Sequence, residues 1–213
     1  MRIKKPPQGW FLLFRRYLSQ ELKMKVLFTL LIGSFFLVSC GLQSIPIANN
    51  SVEGAWAEVQ NQYKRRSDLI PNLVEIVKGY AKHEKETLEG VIAARAKATS
   101  IQIDPTKITP EKLKEFQEAQ SGVSQALGRL MVVSEKYPDL KANQNFQGLQ
   151  AQLEGTENRI AIARRRYIES VQEFNNLVTV FPTSLTNSLI HHLDKKPQFT
   201  ATEAETATPQ VKF

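Results

Sequence analysis

The sequence predicts an all-α protein: an elongated antiparallel bundle of three long helices, with a short fourth helix near the C-terminus. Three observations predict it. Apolar residues recur at steps of three and four through most of residues 52–193, the period of a helix with one buried stripe. No segment sustains the apolar–polar alternation of a strand. The breaks in the pattern fall at Asp104-Pro105, Thr109-Pro110, Tyr137-Pro138 and Phe181-Pro182, where proline ends or starts a helix.

The chain has 213 residues and a formal net charge of +7. Its N-terminal segment carries most of that charge. Residues 1–40 hold seven basic side chains against one acid, Glu21, so the other 173 residues keep 21 basic and 20 acidic side chains, a net of +1. A near-neutral domain lacks the electrostatic footprint of nucleic-acid binding, and no nucleic-acid partner is expected. Residues 26–38 (VLFTLLIGSFFLV) are apolar and uncharged. As a helix they reach about 20 Å, short of a bilayer's core of about 30 Å and suited to a signal peptide.

The run ends in Leu37-Val38-Ser39-Cys40-Gly41. Small residues before a cysteine at that place resemble the lipobox of bacterial lipoproteins, in which the chain is cut before the cysteine and the thiol is acylated. The expected organisation is a signal peptide over 1–39, with Met24 a candidate true start, then a lipidated Cys40 and a polar tether over 40–50. An uncleaved anchor extending to about Ile47 is the alternative. Either places the following domain on the non-cytoplasmic side, and Gly41 after the cysteine favours the outer membrane in a Gram-negative envelope. Cys40 is the chain's one cysteine, so no intrachain disulfide can form.

The expected bundle covers 51–194. Its first helix carries Val52, Trp56, Val59, Tyr63, Ile70, Leu73, Val77 and Tyr80, and the stripe continues in phase to Leu88 and Val91. Pro71 is expected to kink or restart this helix, with Asp68 as a cap. Residues 99–109 form a connector. Thr109-Pro110-Glu111 starts the second helix with a capping hydroxyl, a proline at the first position and an acid near the positive helix end. The third helix runs from about Asn143 to Val180, and a short fourth spans Ser184 to Leu193. Residues 195–213 are polar and aperiodic, and disorder is expected there.

Little in these elements points to chemistry. His83-Glu84 lacks a second histidine one helical turn on, since position 87 is Thr, and adjacent His191 and His192 diverge on a helix. No nucleophile elbow, Cys–His pair or phosphate loop is present, so neither a catalytic residue, a metal nor a cofactor is expected. Polar residues in the stripes say more. Heptad counting places Arg66 or Ser67 in the seam of the first helix and Thr156 or Glu157 in that of the third. Buried charges need partners, so a polar layer is expected in which Arg65 or Arg66 meets Glu154 or Glu157. Asn158 and Arg164 lie beside it on the third helix. Lys64-Arg65-Arg66 and Arg164-Arg165-Arg166 are mostly solvated faces, with anionic lipid or an acidic protein as their possible contacts.

Two blocks carry a family resemblance. The first is Lys64-Arg65-Arg66-Ser67-Asp68-Leu69-Ile70-Pro71-Asn72-Leu73-Val74-Glu75, followed by Val77-Lys78-Gly79-Tyr80-Ala81. The second holds Pro138-Asp139-Leu140-Lys141-Ala142-Asn143, Thr156-Glu157-Asn158, Phe174-Asn175 and Phe181-Pro182. Over residues 55–185 the chain resembles the bacterial LemA family. The resemblance implies a helical bundle associated with a membrane through its N-terminus, and carries over no catalytic residue. Family members commonly keep an N-terminal membrane helix, from which the lipobox-like Cys40 departs. The functional expectation is a membrane-anchored scaffold or adaptor that binds an envelope protein, or itself, along a helix face. The rival is a ligand-binding or enzymatic domain with a polar site around Arg66, Glu84 and Glu157.

Overall fold

The computed structural model describes residues 8–200, with the side chains of Lys25, Phe28 and residues 42–200. The expected lipidation of Cys40, the leader's remaining side chains and residues 201–213 of the expected tail lie outside these. The helices are α1 (Gln8–Tyr80), α2 (Lys85–Ser100), α3 (Pro110–Ser134), α4 (Pro138–Lys141), α5 (Gln144–Thr179) and α6 (Thr183–Thr186), followed by a π-helical turn at Asn187–His191. No strand occurs among the described residues. Among them, too, no helix is long and apolar enough to cross a membrane.

The chain forms two compact units. One contains the N-terminal part of α1 through Pro46 and Leu177–Leu193; the other contains Ile47–Asn176 and the segment from Asp194 on. In the larger unit, Val52, Trp56, Val59, Tyr63, Ile70, Leu73 and Val77 of α1 are all buried. The stripe read from the sequence is the packing face. α2 packs along α3, and Thr109 caps α3 by accepting a hydrogen bond from the Lys112 amide at 3.3 Å, with Pro110 in the first turn.

Five expectations change. Residues 41–50 are helical rather than a tether, with Ile45 and Ala48 buried in line with Val52. Pro46 inside that helix costs about 3 kcal/mol. Each buried aliphatic side chain contributes about 1.5–3 kcal/mol, so the stripe outweighs the lost hydrogen bond. The same holds at Pro71, which neither ends nor restarts α1. Proline has no N–H for the carbonyl four residues back, and that carbonyl, Ser67 O, accepts instead from Arg95 Nε of α2 at 2.8 Å.

The expected first helix is two. α1 stops at Tyr80, a turn follows at 81–84, and Leu88 and Val91 are buried on α2. The three-and-four period runs in phase across the turn, which hides it. The signal is the stretch from Lys82 to Thr87, which has no apolar residue to hold a helix on the core. His83-Glu84 therefore lies in a turn rather than on a helix.

The short fourth helix is divided into α6 and the π-helical turn, which ends at His192 in the left-handed region (φ 51°). Buried Asn187 fixes this end: its side-chain amide donates to Leu193 O at 2.9 Å, and its side-chain oxygen accepts from the Leu193 amide at 3.0 Å.

The start of the tail is ordered. Lys196 N donates to Asn175 Oδ1 at 2.9 Å, Gln117 Nε2 donates to Thr200 O at 2.8 Å, and Phe199 is buried against Trp56 and Tyr167. One aromatic residue in a polar stretch supplies enough apolar surface to dock it.

Candidate functional site

Arg66 is the largest buried charge in the bundle, with 2% of its surface exposed. It sits between Tyr63 and Ile70 on the buried stripe of α1, and its guanidinium lies 5.1 Å from the Tyr63 ring centroid. One terminal nitrogen donates to Glu157 Oε1 of α5 at 2.7 Å and to Ser124 Oγ of α3 at 2.9 Å. The other donates to Gln120 Oε1 at 2.6 Å and Gln120 O at 3.1 Å. The layer thus joins three helices through one permanently charged fork. Glu157 is 46% exposed, so water still solvates the acid while the arginine relies on protein acceptors.

The structure brings Arg66 and Glu157 together, places Arg164 in the lining of the smaller cleft beside them, and leaves the other candidates apart. Arg65, Glu154 and Asn158 are exposed, and Glu154 accepts from Gln150 at 3.1 Å. Arg164 lies 5.0 Å from the Phe199 ring centroid. Half-buried Glu84 accepts from the Tyr137 hydroxyl at 3.4 Å, well along the chain from Arg66, and lines neither cleft beside it. Desolvation and the Glu84 charge raise the Tyr137 phenol above its ordinary pKa. Among the described residues no group of three His, Cys, Asp or Glu side chains is placed to hold a metal ion.

Clefts flank Arg66 on two sides. One, of about 240 Å³, includes Gln117, Ser121, Ser124 and Glu157 in its lining. The other, of about 550 Å³, lies between α1, α2 and α3 and is lined by Ser67, Arg95, Thr99 and Phe116 among others. Ser67 Oγ is buried there without a hydrogen-bond partner. The sequence reading missed Gln120, Ser124 and Arg95. Gln120 was the readable one, because it stands in phase between Phe116 and Val123, where an apolar residue is expected.

A third concavity, of about 440 Å³, follows from the α1–α2 turn. Val74, Leu88 and Ile92 form its floor, and Glu75, Lys78, Lys82, Lys85 and Glu89 form its rim. Two lysines make loose pairs along their own helices, Lys78 with Glu75 at 3.8 Å and Lys85 with Glu89 at 3.7 Å. Ile92 is half exposed.

An aromatic layer underlies the Arg66 site. Trp56 meets Phe116, Tyr167 and Phe199 with ring centroids 5.4, 5.3 and 6.0 Å away. Tyr167 is buried, donates to Pro197 O at 3.0 Å, and has its phenol pKa raised by burial. A folded pKa above the unfolded one means that the neutral phenol's stabilisation is complete below about pH 10 and is lost as pH rises toward the folded value. Above pH 10 this residue should remove up to about 1.4 kcal/mol of stability per pH unit. Tyr167→Phe should flatten that alkaline slope in denaturant titrations at pH 9, 10 and 11. An unchanged slope would show that other groups cause it.

The LemA family profile matches residues 55–213. Protein LemA of Metamycoplasma hominis is 29% identical over 158 residues, covering 74% of this chain and 68% of that protein. The chain belongs to the LemA family.

Proposed function

We propose that the protein is a membrane-anchored helical adaptor of the bacterial envelope, which holds an acidic, amphipathic helix of a partner protein in the α1–α2 groove. Its role is binding rather than catalysis. The groove carries this reading. An apolar floor with a rim of Lys78, Lys82 and Lys85 against Glu75 and Glu89, a net positive charge with Lys78 and Lys85 only loosely paired, fits a helix that lays down apolar residues at a three-and-four period and places acids beside them. The anchoring half rests on the basic, apolar leader that ends at Cys40.

A photo-crosslinking residue at Ile92 in the full chain, in membranes of producing cells, tests both halves. The expected result is a discrete protein adduct whose crosslinked peptide, by mass spectrometry, is acidic with an apolar three-and-four period. Reversing Lys78, Lys82 and Lys85 to Glu should reduce it at least about tenfold, as like charges replace opposite ones. An adduct equally strong from Ile162, an exposed position on α5, would refute the groove. Recovery of the full chain in the soluble fraction would refute the anchor.

A small-molecule site is the second reading, favoured by the buried, unpartnered Ser67 Oγ in the 550 Å³ cleft. Native mass spectrometry separates the two readings, since only this one requires an added small mass that is lost in Ser67→Val.

A further inference from the structure

Residues 180–193 are turned inside out relative to the rest of the molecule. Their polar side chains Thr183, Thr186 and Asn187 are buried, while Phe181, Leu185, Leu189 and Ile190 are exposed, Phe181 by 68% and Leu189 by 62%. The inward face is satisfied by hydrogen bonds. Thr183 Oγ1 donates to Leu177 O at 2.6 Å, and Asn187 holds both backbone groups of Leu193. The segment is therefore fastened with its apolar side outward. Clustered exposed apolar side chains of this kind mark a surface that meets something other than water.

What they meet is indicated by the unit to which they belong. Leu177–Leu193 forms one compact unit with the N-terminal part of α1 through Pro46. That part of the chain contains the apolar run 26–38 and Cys40. Leu42, just beyond Cys40, is also exposed. The apolar outward face and the membrane-directed leader thus share one body.

We propose that Val180–Leu193 is a membrane-facing collar. Phe181, Leu185, Leu189 and Ile190 enter the boundary between headgroups and acyl chains of the bilayer that holds the leader, as the apolar face of an interfacial helix does. This rests on the anchoring reading above. The collar gives the anchored chain a second contact with the bilayer, so that its foot is held at two points rather than by one hinge.

The test uses the full chain reconstituted in vesicles of phosphatidylethanolamine and phosphatidylglycerol. A fluorescent amino acid replaces Leu189 in one sample and Ile162 in another. Both positions are exposed, and circular dichroism checks that the helices are retained. Lipids brominated near the carbonyl end of the acyl chain should quench the probe at 189 about twofold or more, as expected for burial about 5–10 Å into the interface, and leave the probe at 162 unchanged. Chains that fail to float with the vesicles overturn the anchor and the collar together. Chains that float, but whose probe at 189 is quenched no more than that at 162, overturn the collar alone. A blue-shifted, unquenched probe at 189 also overturns it, because a protein surface would then be the cover.

Discussion

Trp56→Ala should lower the stability of the larger unit by about 3–5 kcal/mol, the range for deleting a large buried aromatic side chain, and its melting temperature by roughly 10–15 °C for a body of this size. Trp56 has no exposed surface and is shared by three rings brought by α3, α5 and the docked tail. Its indole Nε1 also donates to Ile103 O at 3.4 Å, which ties the connector to α1. Deleting it removes contacts to four separate parts of the chain, and the residues around the void belong to different elements that do not readily close over it. Trp56→Phe keeps much of the ring contact and should cost about half as much. Urea titrations with circular dichroism measure both; an alanine loss below about 1 kcal/mol would mean that the layer repacks.

The polar layer should respond unequally to the loss of its two charges. Arg66→Leu leaves Gln120 Oε1 without its donor in a buried position and should cost about 3 kcal/mol. Glu157→Gln should cost only about 1 kcal/mol, because Arg66 keeps Gln120 and Ser124 and the acid is already half in water. The double variant should lose less than the two single losses added together, since the pair shares one hydrogen bond. Equal single losses, or strict additivity, would refute the layer as described. Raising the salt concentration should weaken the effect of Glu157→Gln more than that of Arg66→Leu, since only Glu157 faces the solvent.

The parts legible in the sequence are those governed by local period and local chemistry. The stripe from Val52 to Val77 and the limits of α5 follow from spacing, and the start of α3 follows from Thr109 and Pro110. The meeting of Arg66 and Glu157 was readable in part: Arg66 interrupts the apolar phase of α1, while on α5 the phase admitted Thr156 or Glu157, and Thr156 takes the buried position with Glu157 half exposed beside it. Other features depend on what the chain meets after folding. The turn at 81–84 preserves the helical phase, so periodicity passes through it, and the α1–α2 groove was hidden with it. Ser67 gave no sign that its backbone carbonyl, rather than its hydroxyl, would be the bonded atom. Phe199 looked like an isolated apolar residue in a polar tail, and its docking depends on an aromatic layer assembled from residues more than thirty positions away. Glu84 stands apart from Arg66 because the turn at 81–84 carries it off the helix that holds the arginine.

The contact from Arg95 to Ser67 O has a mechanical consequence. A helix bends most easily where a step of its hydrogen-bond ladder is missing, and proline at 71 removes such a step from α1. Arg95 fills the gap from α2, so α2 acts as a splint across the Pro71 step of α1 within the larger unit. The stiffness of α1 at Pro71 is therefore set by a side chain on another helix. A load on the α1–α2 hairpin that drew Arg95 away would turn α1 from a strut into a hinge, midway between the turn at 81–84 and the aromatic layer around Trp56.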